Sequence, residues 1–386
     1  MTERIAALTR PPKHHFYGYY GMNAWSPDGT RHLVLQTEFD DHRPTARDVA
    51  EVGLVDAARG AFQPVGRTRA FNLQQGSMLH WIHVAGRAEC TYNDWTGEAL
   101  VTRAVDPQTF AVRTLQGAIA AVSPLAPQAI GLNFRRMFQC RPVVGYAVEP
   151  PASPDPPFPE DDGLYLMDLV TGEARLFLSL AEVVARSPQV QGEPGPAWFN
   201  HVYYNPSGNR IIFMCRVNRP PAWRHSLWSV GLDGSDLRLL LDYDQRTSHF
   251  TWIDDTRILC STTVLGRGIQ FVRLEDVPGG GEIVPEGEGL LPSDGHACFS
   301  PDGRWLACDA FHTGPNGERL AELMLYRPAD RHKEVLARVE HPTQYVGDIR
   351  CDLHPRWHPD GRWVTFDSVH EGTRQIYRAD VADLVG

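Results

Sequence analysis

One short pattern recurs along the chain and limits its fold more than any other feature: a strand end, a Pro-Asp-Gly-type turn, then an alternating or apolar strand. It reads WSPDGTRHLVLQ from Trp25 to Gln36, YNPSGNRIIFMC from Tyr204 to Cys215, FSPDGRWLACDA from Phe299 to Ala310 and WHPDGRWVTFDS from Trp357 to Ser368. WIDDTRILCST, from Trp252 to Thr262, is a worn copy. The turn has a chemical logic: proline presets φ, aspartate caps the turn, and glycine takes the positive φ. Between the copies stand LYLMDLVTGEARLF, LWSVGLDGSDLRLLL, LMLYRPADRHKEVL and IYRADV, which read as strands with hairpin turns at Thr-Gly and Asp-Gly. The copies at Asn205, Asp254, Ser300 and His358 lie about 50 residues apart, so 386 residues hold about seven to eight such units, of which seven are expected. This predicts an all-β, seven-bladed β-propeller forming a single domain over 1–386. A two-sheet sandwich would not repeat at blade length.

Composition agrees and narrows the partners. The 34 Gly and 30 Pro are spread along the whole chain, against an all-helical fold, and 42% hydrophobic residues are ample for a core. With 37 Lys and Arg against 47 Asp and Glu, the net charge of −10 argues against a nucleic-acid or anionic-membrane surface. Lys13 and Lys333 are the only lysines; every other fixed cation is arginine, the side chain that grips carboxylates bidentately. Seven scattered cysteines without a CxxC pair predict reduced, strand-buried thiols. MTERIAALTRPPKHH has no apolar core and no stretch is long and apolar enough to span a bilayer, so a cytoplasmic location is expected. Pro150–Gly163 reads as a proline-rich loop, Leu178–Pro188 as a helix, and PGGGEIVPEGEGLLP as a surface connection.

Propellers place loops around a central channel, which draws attention to the residues before each turn. His249, His296 and His354 each stand three residues before their strand ends, Trp252, Phe299 and Trp357. Rotational repetition would bring them to one rim, beside Asp294, Asp352 and Arg356. A histidine that merely packs blades needs no such charges. Three histidines with a carboxylate suit a divalent cation of the Mn²⁺ or Zn²⁺ type; imidazole excludes a purely oxygen-liganded Ca²⁺ site but not a mixed one. Asn200 and His201 stand at nearly the same point of their repeat, and Gln75 and His80 fall in QQGSMLHW of an early blade. Arginines cluster at Arg216, Arg219 and Arg224, and at Arg135, Arg136 and Arg141. The aromatic run from His14 to Tyr20 suits either sugar stacking or closure of the first blade, while His370, Glu371 and Arg374 suit the closing blade.

Taken together, HFYGYYGMNAWSPDG, FNLQQGSMLHW, SHFTW, SDGH, DLHPRW and DSVHEGTRQIY resemble the oligogalacturonate lyase family, with ulvan lyase propellers as cousins. The family consists of seven-bladed propellers that cleave pectin fragments, and the resemblance covers most of the chain. It implies a uronic-acid-containing oligosaccharide or polysaccharide as substrate, cleaved by metal-assisted β-elimination. His249 of SHFTW falls on the family's base and Arg224 of RHSLW on its charge-neutralising arginine. His296 and His354 fall on metal ligands. The family's His-Pro-His-Pro motif is altered, with Asp352 in place of its first histidine, and its glutamine ligand has no match. The ulvan lyases imply a rival catalytic set, His80 with Arg216. Gln75, Asn200, His201, Arg135 and Arg356 are the expected substrate contacts. The alternatives are a TolB-like propeller that binds a glycan or a protein, and a glycoside hydrolase, which needs a second acid such as Asp294 or Asp352.

Overall fold

The computed structural model describes residues 4–150, 155–190, 192–193, 195–219 and 222–386. Their strands form seven four-stranded sheets, and the fold is the expected seven-bladed β-propeller. Six sheets use four consecutive strands; the seventh sets the early strand Ile5–Ala7 beside Gln375–Asp380, Trp363–Ser368 and Arg356–Trp357. The closing register is antiparallel, with Ile5 opposite Ala379 and Ala7 opposite Tyr377.

The chain divides into two compact units, Met1–Asp94 with Arg103–Arg113 and Gly287–Gly386, and Trp95–Thr102 with Thr114–Glu286. The first unit holds the closing sheet, the sheet that begins at His14–Phe16 and the sheet that begins at Ala297–Phe299. The second holds the sheets that begin at Ile119–Val122, Ala197–Tyr204 and Thr247–Trp252.

The repeated turns work as their residues predict. In the first, Asp28 accepts from the Ser26 hydroxyl (2.6 Å) and the Thr30 amide (3.0 Å), and Gly29 takes φ 69°. A Cβ on Gly29 would stand 2.5 Å from His358 Nε2, so a side chain there would have to displace that ring as well as strain the backbone. The strand that follows buries Leu33, Val34 and Leu35 completely, as a strand covered on both faces must.

A second regularity explains the strand-end tryptophans. Trp81 Nε1 donates to the Ala24 carbonyl (3.2 Å), Trp252 Nε1 to Tyr203 (3.1 Å) and Trp357 Nε1 to Cys298 (3.0 Å). Tyr203 and Cys298 each lie one residue before the end of the preceding sheet's first strand, and Ala24 one before Trp25, which is bridged to His32. Each indole thereby fills the space between two sheets and spends its only donor on the neighbour's backbone.

The expected helix is present as Leu180–Ala185, closed by a capping box between Ser179 and Glu182. Two expectations need correction. PGGGEIVPEGEGLLP is not only a connection, because Ile283–Pro285 pairs with Val272–Leu274 as the outer strand its sheet requires. Phe134–Cys140, read only as an arginine cluster, is a helix capped by the Asn133 side chain. Its Arg136 is buried and donates to the carbonyls of Ala197, Pro156 and Pro157. Residues 151–154 of the proline-rich loop lie outside the described residues, as does the side chain of Arg219. All seven cysteines are buried thiols, as expected. Among the described residues no helix is long and apolar enough to cross a membrane.

Candidate metal centre and histidine cluster

Four successive sheets carry a histidine at the same point of the repeat, three residues before the last residue of the first strand: His201, His249, His296 and His354. In the other three, Met22 and Met78 stand three residues before Trp25 and Trp81, and Ile119 three before Val122. The backbone here breaks the simple alternation of a strand. His201 and His354 adopt φ 51° and 47°, and the pairing register shifts between Asn200 and Tyr203 and again between Thr247 and Phe250. Such bulges re-aim a side chain that would otherwise sit in the pleat.

In the first unit, His296, Asp352 and His354 converge, each buried, with one ligand atom apiece all within 4.8 Å of one another. The two imidazoles meet edge to face at 4.1 Å, and Tyr20 packs 4.9 Å from His296 and 6.0 Å from His354. Two residues of the early aromatic run therefore wall this centre, Tyr20 and Tyr19, the latter 6.1 Å from His354 and both buried. Arg350 donates to Asp352 Oδ2 at 2.8 Å.

One further carboxylate belongs here, and sequence reasoning missed it. Asp309 accepts from the His296 amide (2.7 Å), His296 Nδ1 (3.0 Å) and the His354 amide (3.0 Å). Its signal was an aspartate inside the apolar strand Leu306–Thr313. Burial alone would lower the His296 pKa, but Asp309, then Asp352 and Asp294, outweigh it and raise the value. The donor set, two imidazoles and a carboxylate with one ring nitrogen already engaged, fits a divalent cation of borderline softness.

In the second unit, His249 stands 6.2 Å from His201, ring to ring, with its Nδ1 3.1 Å from the Ser248 hydroxyl. Asn200 is buried and accepts the His201 amide at 2.8 Å. Across the next hairpin Arg216 pairs with His225, and Val217 with Arg224. Facing residues share a side of the sheet and successive ones do not, so Arg216 and His225 lie on one face and Arg224 on the other. His225 Nδ1 donates to the Thr247 carbonyl (2.9 Å), which leaves the Nε2 lone pair as the free base. Burial, then the charge of Arg216, brings its pKa down to about 4, so the ring is neutral at pH 7. His225 was also missed, because it adjoins the more conspicuous Arg224.

Two expected ligand contacts are corrected. Arg224 is engaged by Asp244, by Glu193 at 3.5 Å and by the Gln189 carbonyl at 2.7 Å. Its guanidinium is thus already neutralised by protein groups. Arg356 is fully buried, bonded to Asp367 at 2.6 Å and to the Tyr19 carbonyl, with Tyr17 beneath it at 4.9 Å. It is part of the core and has no surface to offer a substrate. His80 is buried in the strand His80–Val84, opposite Thr91 and two residues beyond Met78, which holds the register of the other histidines. Gln75 is buried in the turn where its amide donates to Asn72 (2.7 Å). Arg135 lies 3.9 Å from Asp155. Arg374 is buried against the carbonyls of Leu73, Ile349 and Arg350, and Glu371 accepts from Tyr377, so both support the closing sheet as expected.

No protein-family model matches the chain, and no curated protein matches it in sequence. Solved structures do share its fold. An oligogalacturonate lyase from Vibrio parahaemolyticus is 18% identical with a TM-score of 0.66, covering 98% of this chain and 93% of that one. An oligogalacturonate lyase in complex with manganese is 15% identical with a TM-score of 0.67, covering 97% and 92%. A puromycin-hydrolysing peptidase from Mycobacterium tuberculosis is 12% identical with a TM-score of 0.54; the match covers 96% of this chain but 55% of the peptidase.

Proposed function

We infer that this protein is a lyase that cleaves uronic-acid-containing oligosaccharides or polysaccharides by β-elimination with a bound divalent cation, Mn²⁺ ahead of Ca²⁺ or Zn²⁺. The buried trio His296, Asp352 and His354 carries the reading. It stands on a fold shared over nearly the full length of both chains with oligogalacturonate lyases, one of them solved with manganese.

The C5 proton of a uronate is weakly acidic because the adjacent carboxylate resists further negative charge. A cation at the trio would supply the counter-charge that this carboxylate needs as the proton leaves. His296 and His354 offer ring nitrogens to hold it and Asp352 an oxygen, while Tyr20 packs against the two rings. Removing the proton takes a neutral imidazole. The reading assigns this to His249, on the SHFTW match; His225, neutral at pH 7, stands in the same unit opposite Arg216, a buried fixed cation.

The test is direct. Purified protein with Mn²⁺ is given galacturonan oligomers and other uronate glycans, and the ultraviolet absorbance of the unsaturated product is followed. We expect product that disappears with a chelator and returns with Mn²⁺. Saturated reducing ends would replace the lyase with a hydrolase, and no product from any uronate glycan would leave a binding propeller.

A further inference from the structure

We propose that Asp309 is a positioning residue for the cation centre, setting the tautomer of His296 and the backbone of His354 with one carboxylate. This rests on the metal-dependent reading above but concerns a residue outside the ligand trio.

The geometry is specific. Asp309 is 1% exposed and lies in the second strand of its sheet, opposite Leu323. Its two oxygens receive three donors, the ring Nδ1–H and amide of His296 and the amide of His354. A carboxylate can only accept, so His296 keeps its proton on Nδ1 and turns the Nε2 lone pair away from Asp309. A histidine ligand fixed this way presents one defined nitrogen and is the more basic for it. The third bond holds the amide of a residue at φ 47°, where a non-glycine backbone is uncommon and needs support from its surroundings. The same carboxylate therefore aims one imidazole by its ring and the other by its main chain.

The following repeat supplies the contrast. Asp367 stands at the matching position, ten residues past its strand end, and also accepts amides from another sheet's segment, those of Tyr17 and Gly18 just past His14–Phe16. There, however, the partner in its own sheet is Arg356, a permanent cation that can serve only structure. Asp309 instead has His296 as the partner in its own sheet, two residues earlier in the repeat, whose charge and proton position are adjustable. One device is thus used twice, once as a staple and once facing the three buried ligands.

The experiment compares wild type with Asp309→Asn and Asp309→Glu in the full-length protein, titrating Mn²⁺ by calorimetry and following the free ion by electron paramagnetic resonance. Asp309→Asn is expected to weaken Mn²⁺ binding about 10–100-fold, with far-ultraviolet circular dichroism of the metal-free protein unchanged. Independently, ¹⁵N NMR of metal-free wild type in alkaline solution should show His296 as the Nδ1–H tautomer, a readout that needs no variant to fold. A wild type that binds no divalent cation overturns both this proposal and the lyase reading. Wild-type Mn²⁺ affinity in Asp309→Asn, or an Nε2–H tautomer at His296, overturns this proposal alone.

Discussion

Arg356 shows how far a side chain's role depends on what it meets in three dimensions. In the sequence it is a cation two residues from a histidine; in the fold it is sealed under Tyr17 with Asp367. Removing one member of a buried pair leaves the other charge uncompensated, so Arg356→Ala should lower unfolding free energy by about 3–5 kcal/mol in urea titrations. A substrate arginine would instead alter KM and leave stability alone. His249 is the opposite case, partly accessible and beside another histidine. If it is the base, His249→Ala should cut turnover by about 10²–10⁴-fold with an unchanged circular dichroism spectrum. Retained turnover would move the base to another imidazole, with His225 the next to replace.

At the level of elements, the strand-end tryptophans join neighbouring sheets through a single indole N–H. Trp357→Phe would keep much of the apolar volume but remove the indole's bond to the Cys298 carbonyl, which keeps its ladder pairing with Ala307, at a cost of about 0.5–1.5 kcal/mol, measurable as a lower urea midpoint. The element pattern was the most legible part of the sequence, because Pro-Asp-Gly turns and period-two strands are local properties of adjacent residues. The register of His249, His296 and His354 was legible for the same reason: repetition converts sequence spacing into equivalent positions. What could not be read were choices made by partners distant in sequence. Nothing near Asp309 announces that it would meet His354 rather than an arginine, as Asp367 does. The two faces of the Arg216–Arg224 hairpin were hidden by a single-residue difference in register, since a shift by one place exchanges the sides of a strand. Ile283–Pro285 was missed because three residues among glycines become a strand only when an edge is waiting for them.

For the whole molecule, buried neutral histidines set the response to acid. His15, His32, His225 and His341 all have pKa values lowered first by burial, His225 to about 4. The unfolded chain takes up these protons near pH 6.5 and the native state does not. The stabilisation is therefore complete above about pH 6.5 and is lost as pH falls toward 4, while His296, its pKa raised, acts in the opposite sense. Melting temperature measured across that interval should fall steadily, and a flat profile would mean that these rings are solvated. The same burial pushes the thiols of Cys90, Cys215, Cys298 and Cys351 up to about 12, so the native protein should resist alkylation until it unfolds.

The pairing of Ile5–Ala7 with Gln375–Asp380 also orders events in time. A growing chain presents its early strand long before the partner exists, and contacts across so much sequence form slowly. In that interval each strand offers a bare row of amides and carbonyls, a ready template for the equivalent strand of another molecule. Crowded synthesis or brief heating should therefore yield dimers that have traded their first strands, and the seam that completes one molecule is where two would become entangled.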